Sequence, residues 1–333
     1  MIMSLVKRGD YLRRMVVLRL VEKVIYVCAK SFSFTTSGRV IQCISRLFRK
    51  TLAEFYSSDS AIHLSEAIAH KSDEKFAARM IFNKLTSRYI SHFMFDNKWE
   101  KTIALLNKHA LLTDPSKKKA KLLLCTHTGD YWVTILSLAR EYEGQGCDFI
   151  VPIVSEITER NALAYKKIEI PGVRVIFMNI NEKGAMIKIA RYLHDPLKIV
   201  AIFYDLPCYV GGILTGSVEP VSLFNRKAYM AIGIVKLAIR QDICIKLVAC
   251  RYNEVSQRFD IRLSLVESRD KIAIQTEMTT FLERYIEETP WQWHFISTLD
   301  SYYHFPLILM HRKNVKEMHH LNLITKKYSP HYV

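Results

Sequence analysis

The sequence has few residues that interrupt regular structure, and it has no long uncharged hydrophobic run. Glycine occurs 11 times and proline 9 times in 333 residues, which excludes collagen-like and low-complexity chains. No stretch reaches the ~18 uncharged apolar residues that span a bilayer. The N-terminus also lacks the uninterrupted apolar centre of a signal peptide, since Arg13, Arg14, Arg19, Glu22 and Lys23 fall within it. We therefore expect neither a spanning helix nor export, which leaves attachment to a membrane surface open.

Disulfide and zinc patterns are absent as well. The seven cysteines are odd in number, none lies in a CxxC pair, and most stand in apolar runs. We expect reduced, buried thiols in a protein that faces the cytosol, and no metal site.

Positive charge is what the sequence has in excess. Lys and Arg number 48 against 32 Asp and Glu, a formal net charge of +16 at pH 7. Residues 1–50 alone contain eleven of these cations and only two acids, Asp10 and Glu22. Such a charge predicts an acidic partner: nucleic acid, an anionic membrane face or a phosphorylated substrate. Because 50% of the residues are hydrophobic, we also expect a sizeable core, and wholesale disorder is excluded.

The basic N-terminal segment also carries an amphipathic pattern within residues 11–30. Apolar side chains recur there at helical spacing, with Arg13, Arg14 and Lys23 off the stripe. This pattern is typical of a helix lying in the plane of a membrane interface, and equally of an amphipathic helix packed on its own domain. The stripe consists of Leu12, Met15, Val16, Leu20, Val24 and Val27.

The rest of the chain divides at a polar, proline-containing break, TDPSKKK at 113–119. Residues 40–110 are helical in pattern, whereas short β-rich runs alternate with helical segments after the break. We predict strands at 121–126, 148–154, 173–178, 198–203, 243–251 and 259–266, and helices at 131–142, 158–168, 182–194, 226–240 and 271–288.

This alternation predicts an α/β fold with a mostly parallel sheet flanked by helices, preceded by a helical region at the membrane surface. The expected domains are a basic amphipathic helical region over 1–115, an α/β core over 116–305 and a basic, histidine-containing tail over 306–333. The tail, with His311, His319, His320 and His331, is expected to be solvated or loosely docked.

The first candidate site is KLLLCTHTGDYW at 121–132, where a buried strand ends and a helix begins near Asp130. Ligands of parallel sheets bind at the carboxyl ends of the strands. His127 could act there as a general base whose tautomer is fixed by a nearby acid. Alternatively, His127 only caps the turn and Asp130 only caps the helix.

Two further segments could contribute to a site. The apolar strand 199–203 delivers Asp205 to a loop with Pro207, where the carboxylate serves either a site or a turn. Asn225, Arg226 and Lys227 open a predicted helix whose N-terminus and cations could hold a phosphate or carboxylate, or could simply be solvated. In TPWQWHF at 289–295, the tryptophans and His294 are more typical of core anchors than of ligands.

The order and spacing of these pieces resemble one family. A strand ending in His-x-Gly, a later strand ending in Asp, an aromatic-plus-Asn/Arg segment and the closing Pro290-Trp291-Gln292-Trp293 are similar to the lysophospholipid acyltransferase-like superfamily, in its branch of bacterial lipid A late acyltransferases. The resemblance covers about residues 120–300.

The resemblance implies an α/β core held peripherally on the cytoplasmic face of the bacterial inner membrane. It implies transfer of an acyl group to a hydroxyl or amine of a lipid such as lipid A. The donor would be a thioester on an acyl carrier protein-like partner or on coenzyme A, with no other cofactor. Beside the lipid acceptor, the anionic membrane surface is the expected partner, and nucleic acid is not.

The catalytic pair of this family is a histidine followed five residues later by Asp or Glu. His127 matches the histidine and Gly129 the glycine after it, but Trp132 occupies the position of the acid. We predict His127 as base, Asp130 as the first choice for the acid that orients it, and Asp205 as the second. Substrate contacts are expected from Gly129 and Trp132, and from the segment formed by Asn225, Arg226 and Lys227.

Three alternatives to a fatty acyltransferase remain, and the missing acid is the reason for the first two. One is the branch's aminoacyl offshoot, which moves glycine to lipid A in a pathway of resistance to antimicrobial peptides. Another is a catalytically inactive relative that acts as a scaffold. The third, a nucleic-acid-binding protein, is permitted by the charge, although no known nucleic-acid-binding motif is present.

Overall fold

The computed structural model describes residues 2–69, 75–154, 156–207, 209–210, 213–214 and 218–303. Its helices are α1 (Ile2–Ser31), α2 (Phe34–Leu47), α3 (Arg49–Phe55), α4 (Ser58–Ala69), α5 (Phe76–Asp96), α6 (Trp99–His109), α7 (Tyr131–Arg140), α8 (Glu159–Tyr165), α9 (Ala185–His194), α10 (Gly233–Arg240) and α11 (Lys271–Glu288). Its strands are β1 (Ala110–Thr113), β2 (Leu122–Cys125), β3 (Cys147–Ile153), β4 (Val173–Asn179), β5 (Lys198–Phe203), β6 (Tyr209–Val210), β7 (Ile213–Leu214), β8 (Glu219–Leu223), β9 (Arg226–Met230), β10 (Ile245–Asn253) and β11 (Arg258–Val266). Two 3₁₀ segments, Pro290–Gln292 and Ile296–Tyr302, follow α11.

Seven strands form one mixed sheet in the order β1-β11-β10-β2-β5-β3-β4. β10, β2, β5, β3 and β4 run parallel, whereas β11 is antiparallel to β10 and β1 is parallel to β11. The predicted α/β fold with a mostly parallel sheet flanked by helices is therefore confirmed. Each of the six predicted strands is present, shifted by at most two residues at either end.

Each face of the sheet is covered by its own hydrophobic core. Alternate residues of β2 supply the two sides: Leu123 and Cys125 join one cluster, Leu122 and Leu124 the other. The first cluster packs against α1, α2, α5, α6 and α7, and the second against α9, α10 and α11. All four residues of β2 are buried, as expected for a central strand covered on both faces.

The break at 113–119 begins at the last residue of β1 and ends before β2, and the chain on both sides of it contributes to the sheet. β1 is the edge strand beside β11, and Val21 and Ile25 of α1 share a core cluster with Leu123 of β2. β1 has no recognisable signal in the sequence, because a four-residue edge strand with alternating burial produces too short a pattern.

The helix predicted over 226–240 is wrong in its first half. Residues 219–230 form the β8–β9 hairpin, and α10 begins only at Gly233. Phe224 and Asn225 both adopt positive φ, 51° and 58°, as the two central residues of a hairpin turn do. Asn225 is a residue type that tolerates this conformation, so the turn is encoded locally.

Six of the seven cysteines lie in the described part of the chain. Cys28, Cys125, Cys147 and Cys250 are buried, Cys244 is partly buried, Cys43 is exposed, and all six are free thiols. Within the described residues, no helix has both the length and the apolar character needed to cross a membrane. The histidine-containing tail after Pro306, Cys208, and the loop glycines Gly211 and Gly212 lie outside the described residues.

Candidate active site

The register of two neighbouring strands brings His127 and Asp205 together. Cys125 at the end of β2 pairs with Phe203 at the end of β5. His127 and Asp205 each stand two residues beyond this pair, at the carboxyl edge of the parallel sheet. Ligands of such sheets bind at this edge.

The carboxylate of Asp205 contacts both the ring and the backbone of His127. Asp205 Oδ1 lies 2.7 Å from Nδ1 of His127, and Asp205 Oδ2 accepts the backbone N–H of His127 at 2.7 Å. Because a carboxylate only accepts hydrogen bonds, the ring proton resides on Nδ1 and the lone pair of Nε2 is left available. The side chain of Asp205 is fully buried, whereas that of His127 is 20% exposed. The imidazole can therefore accept a proton from a molecule in solvent.

The buried carboxylate is held by further donors. Trp293 donates its indole N–H to Asp205 Oδ2 at 3.0 Å, and the Tyr302 hydroxyl donates to the backbone oxygen of Asp205 at 2.7 Å. Both rings are buried. A buried charge is tolerated only when its lone pairs are satisfied, and these donors satisfy them. Trp293 is thus a core anchor, as predicted, and also a fixed partner of the site.

Aromatic rings surround the imidazole of His127. The ring of Phe203 lies 4.4 Å from it and that of Phe295 4.9 Å, between centroids. Tyr131 stacks on Phe203 at 4.9 Å. These rings exclude water from the sides of the imidazole and restrict its rotation, so its orientation is set before a substrate arrives.

Asp130, our first choice for the orienting acid, does not contact His127, and that prediction is wrong. Its Oδ1 accepts the backbone N–H of Val133 at 3.0 Å as the N-cap of α7, and its Oδ2 accepts the Ser87 hydroxyl at 2.8 Å. The carboxylate is buried, and burial raises its pKa to about 6. One oxygen of Asp130 thus caps α7 and the other binds Ser87, and the second choice, Asp205, is the partner of His127.

Gly129 and Trp132, predicted to contact substrate, have structural roles. Gly129 has φ +66°, and a Cβ there would lie 2.7 Å from the backbone oxygen of Cys250 on β10. Its N–H donates to the backbone oxygen of Gln292 at 3.2 Å, so that group is not available to a ligand. Trp132 is buried in a cluster of aromatic rings with Phe95, Tyr131, Tyr165 and Phe177.

The segment Pro290–His294 contacts both β10 and the turn that carries His127. Gln292 is buried, and its side-chain amide makes two hydrogen bonds to the backbone of Tyr252 on β10, at 2.7 and 2.8 Å. The backbone N–H of His294 donates to the backbone oxygen of His127 at 2.9 Å. The segment therefore fixes Trp293 under Asp205 and His294 beside His127.

Two cationic or basic side chains of the site were not found from the sequence. His294 was interpreted as a core residue, yet it is exposed and its ring centroid lies 6.2 Å from that of His127. Lys84 of α5 places Nζ 3.1 Å from Nδ1 of His294. More than 40 positions separate Lys84 from His127 along the chain, and α5 has no motif, so no sequence signal could have placed this lysine here.

Asn225, Arg226 and Lys227 are exposed on the β8–β9 hairpin, not at a helix N-terminus. The guanidinium of Arg226 lies 4.0 Å from the ring centroid of Tyr303, next in sequence to the Tyr302 that binds Asp205. The hairpin therefore lies near the site. The helix N-terminus predicted at Asn225 is absent there, because Asn225 stands in the turn between β8 and β9.

Comparison with protein-family models and with curated proteins identifies no relative of the chain. No protein-family model matches it, and no curated protein is significantly similar to it. In the described part, no group of three or more His, Cys, Asp or Glu side chains could hold a metal ion. What the site offers is a histidine with an available Nε2, a buried carboxylate that orients it and two further basic groups beside it. This arrangement suits a proton transfer from a hydroxyl or amine.

Proposed function

We propose that this protein is a membrane-surface acyltransferase that uses His127 as general base. It would move an acyl or aminoacyl group from a thioester of a carrier protein or of coenzyme A to a hydroxyl or amine of a lipid. The observation that carries the proposal is the 2.7 Å contact between Nδ1 of His127 and the buried carboxylate of Asp205. A histidine oriented in this way needs only a bound nucleophile to act as a base.

The chemistry would follow from this geometry. Nε2 of His127 removes the proton of the acceptor hydroxyl or amine as the acceptor atom attacks the thioester carbonyl. The carboxylate of Asp205 stabilises the imidazolium that forms. When the carbon–sulfur bond breaks, the imidazolium returns the proton to the departing thiolate, which gives the free thiol, the acylated lipid and neutral His127.

The direct test is thioester-dependent transfer to lipid A and to lysophospholipids, followed by mass spectrometry of the products. His127→Ala should abolish transfer in a folded protein, because it removes the nitrogen that takes the proton of the acceptor. His63→Ala, at an exposed position of α4, is the matched control and should keep full activity. Full activity of His127→Ala would overturn the mechanism. Absence of transfer by the wild-type protein with all donors would favour the scaffold alternative.

The same assay decides between the acyl and glycyl alternatives when it is run with fatty acyl thioesters and with glycyl thioesters as donors. The occupation of the family's acid position by Trp132 was the reason to consider the glycyl variant. Since Asp205 supplies the carboxylate that position lacks, the site supports a proton transfer with either donor. Preference for a glycyl thioester would assign the protein to the aminoacyl class.

The surface of α1 supports attachment to a membrane. The apolar stripe identified in the sequence points to solvent over most of its length: Leu12, Val16, Leu20, Val24 and Val27 are each between 41% and 58% exposed. A different face of the helix, with Val21, Ile25 and Cys28, packs into the core. An exposed apolar stripe next to basic residues is the pattern of an interfacial helix, and each cation near an anionic leaflet contributes about 1 kcal/mol. We propose a peripheral position on the cytoplasmic face of the bacterial inner membrane.

Charge placed on the stripe tests this attachment. Leu12→Asp combined with Leu20→Asp should move the protein from vesicles containing anionic phospholipid to the soluble fraction in a sedimentation assay. Val255→Asp is the control, since Val255 is 96% exposed at the tip of the β10–β11 hairpin. Unchanged sedimentation of the double variant would contradict an interfacial α1. Because another face of α1 packs into the core, point variants are preferable to deletion of residues 1–30.

A further inference from the structure

Lys84 reaches the site from outside the sheet. Its Nζ lies 3.1 Å from Nδ1 of His294, and the centroids of the His294 and His127 rings are 6.2 Å apart. An ammonium only donates hydrogen bonds, so Nδ1 of His294 accepts and the ring proton of His294 resides on Nε2. The ammonium thus lies one side chain away from the catalytic base.

The electrostatic situation of Lys84 differs from that of the other cations of α5. Arg79 has a carboxylate oxygen of Glu254 3.6 Å away, and Arg88 has one of Glu22 3.9 Å away. No carboxylate of the described residues lies within ion-pair distance of Lys84, which contacts the ring of His294 and lies near the cation of Arg88. Burial, together with the charge of Arg88, lowers the pKa of Lys84 to about 8.

His294 is not a counter-ion for Lys84, because an imidazole is either neutral or cationic. The ammonium of Lys84 is the main cause that lowers the pKa of His294 well below its ordinary value, so His294 remains neutral. A partly buried ammonium without a counter-ion is costly, and an anionic ligand that reaches it removes the cost. The ammonium of Lys84 is therefore a place where the site can bind an anion.

We propose that Lys84, with Arg88 beside it and His294 holding its ammonium, binds a phosphate group of the acceptor lipid. This inference rests on the proposed function for the identity of the ligand. In a lysophospholipid, the phosphate and the free hydroxyl that can be acylated are on the same three-carbon backbone. In a pantetheine thioester, by contrast, the phosphate is at the far end of a long arm from the reacting carbonyl. A cation one side chain away from the base fits the first arrangement.

Binding of inorganic phosphate tests the site without any turnover. In the full chain, titration with phosphate should shift the ring resonances of His294 and raise the pKa of Lys84. Lys84→Met should weaken phosphate binding about 10- to 100-fold, the range expected for a lost hydrogen bond to a charged group. Lys84→Arg should restore most of it. Lys101→Met, which removes an exposed lysine of α6, is the matched control and should bind phosphate like the wild type. Equal binding by Lys84→Met and the wild type would overturn the inference.

Turnover with matched substrates distinguishes the source of the phosphate. With a phosphorylated acceptor, Lys84→Met should raise KM about tenfold or more and leave kcat nearly unchanged, whereas with the dephosphorylated acceptor the variant and the wild type should be equal. If the difference instead disappears with a donor that lacks its phosphate, the assignment to the acceptor is wrong.

His127→Ala separates this inference from the proposed function. That variant should lose transfer and still bind inorganic phosphate like the wild type. A wild-type protein that binds phosphate through Lys84 but transfers no acyl group would refute the proposed function and the acceptor assignment while the anion site stands.

Discussion

Replacement of Asp205 by Asn is the sharpest test of the site, because the two side chains have the same shape and differ in one donor. Asp205 Oδ2 accepts two N–H groups, from the His127 backbone at 2.7 Å and from the Trp293 indole at 3.0 Å. The amide oxygen of Asn must take that position, since an NH₂ group there would face two donors. The NH₂ group then faces Nδ1 of His127, which can only accept from it.

The consequence is a change of tautomer. With Nδ1 as acceptor, the proton of the neutral imidazole moves to Nε2, and the base atom is lost. Loss of the orienting carboxylate in an analogous hydrolytic site lowers kcat by about 10⁴. At about 1.4 kcal/mol per tenfold change in rate, this corresponds to about 5 kcal/mol of transition-state stabilisation. We expect a loss of that order in Asp205→Asn.

Two measurements check this expectation. Transfer from a labelled thioester gives kcat, and the ¹⁵N chemical shifts of the His127 ring report its tautomer without any substrate. The fold of the variant is verified by circular dichroism and by its unfolding transition. An Asp205→Asn protein that keeps the Nδ1–H tautomer, or more than about a tenth of the wild-type kcat, would refute the reasoning.

The remaining predictions concern the turn that carries His127. Asp130→Asn should keep transfer within about threefold of the wild type, because the carboxylate only starts α7 and binds Ser87. Burial raises the pKa of Asp130 to about 6, so the folded state holds this proton more tightly than the unfolded state. In urea unfolding, the free energy of unfolding of the wild type minus that of Asp130→Asn should therefore fall by about 2–3 kcal/mol as the pH rises from about 4 to about 6. A difference that does not change with pH would contradict a buried Asp130. Gly129→Ala should destabilise the fold by about 3 kcal/mol or more, since it combines positive φ with overlap against Cys250. Gly146→Ala, at φ +65° with nothing within 4 Å of its Cβ, should cost only about 1 kcal/mol, and equal losses at the two glycines would show that the overlap is relieved.

The sequence by itself determined the fold class and the two chemical groups of the site. Fully apolar runs such as 199–203 are typical of strands buried on both faces. A polar residue just after such a run is easily recognised in the sequence, and it lies at the carboxyl end of the strand, where ligands bind. His127 and Asp205 were identified for that reason, from local pattern alone. The start of α7 at Asp130 was equally local, because an N-cap needs only the next three residues.

The pairing of these groups was decided by the tertiary structure. Asp130 is nearest to His127 in sequence, yet the cap geometry directs its carboxylate to Val133 and Ser87. Asp205 becomes the partner because β5 lies next to β2, and sequence patterns do not determine strand order. Lys84 and His294 enter the site for the same reason, since contacts over such separations depend on how α5 and the segment after α11 pack on the sheet. Local propensities act over a few residues, whereas a catalytic constellation is assembled from strand ends and helices that only the packed core brings together.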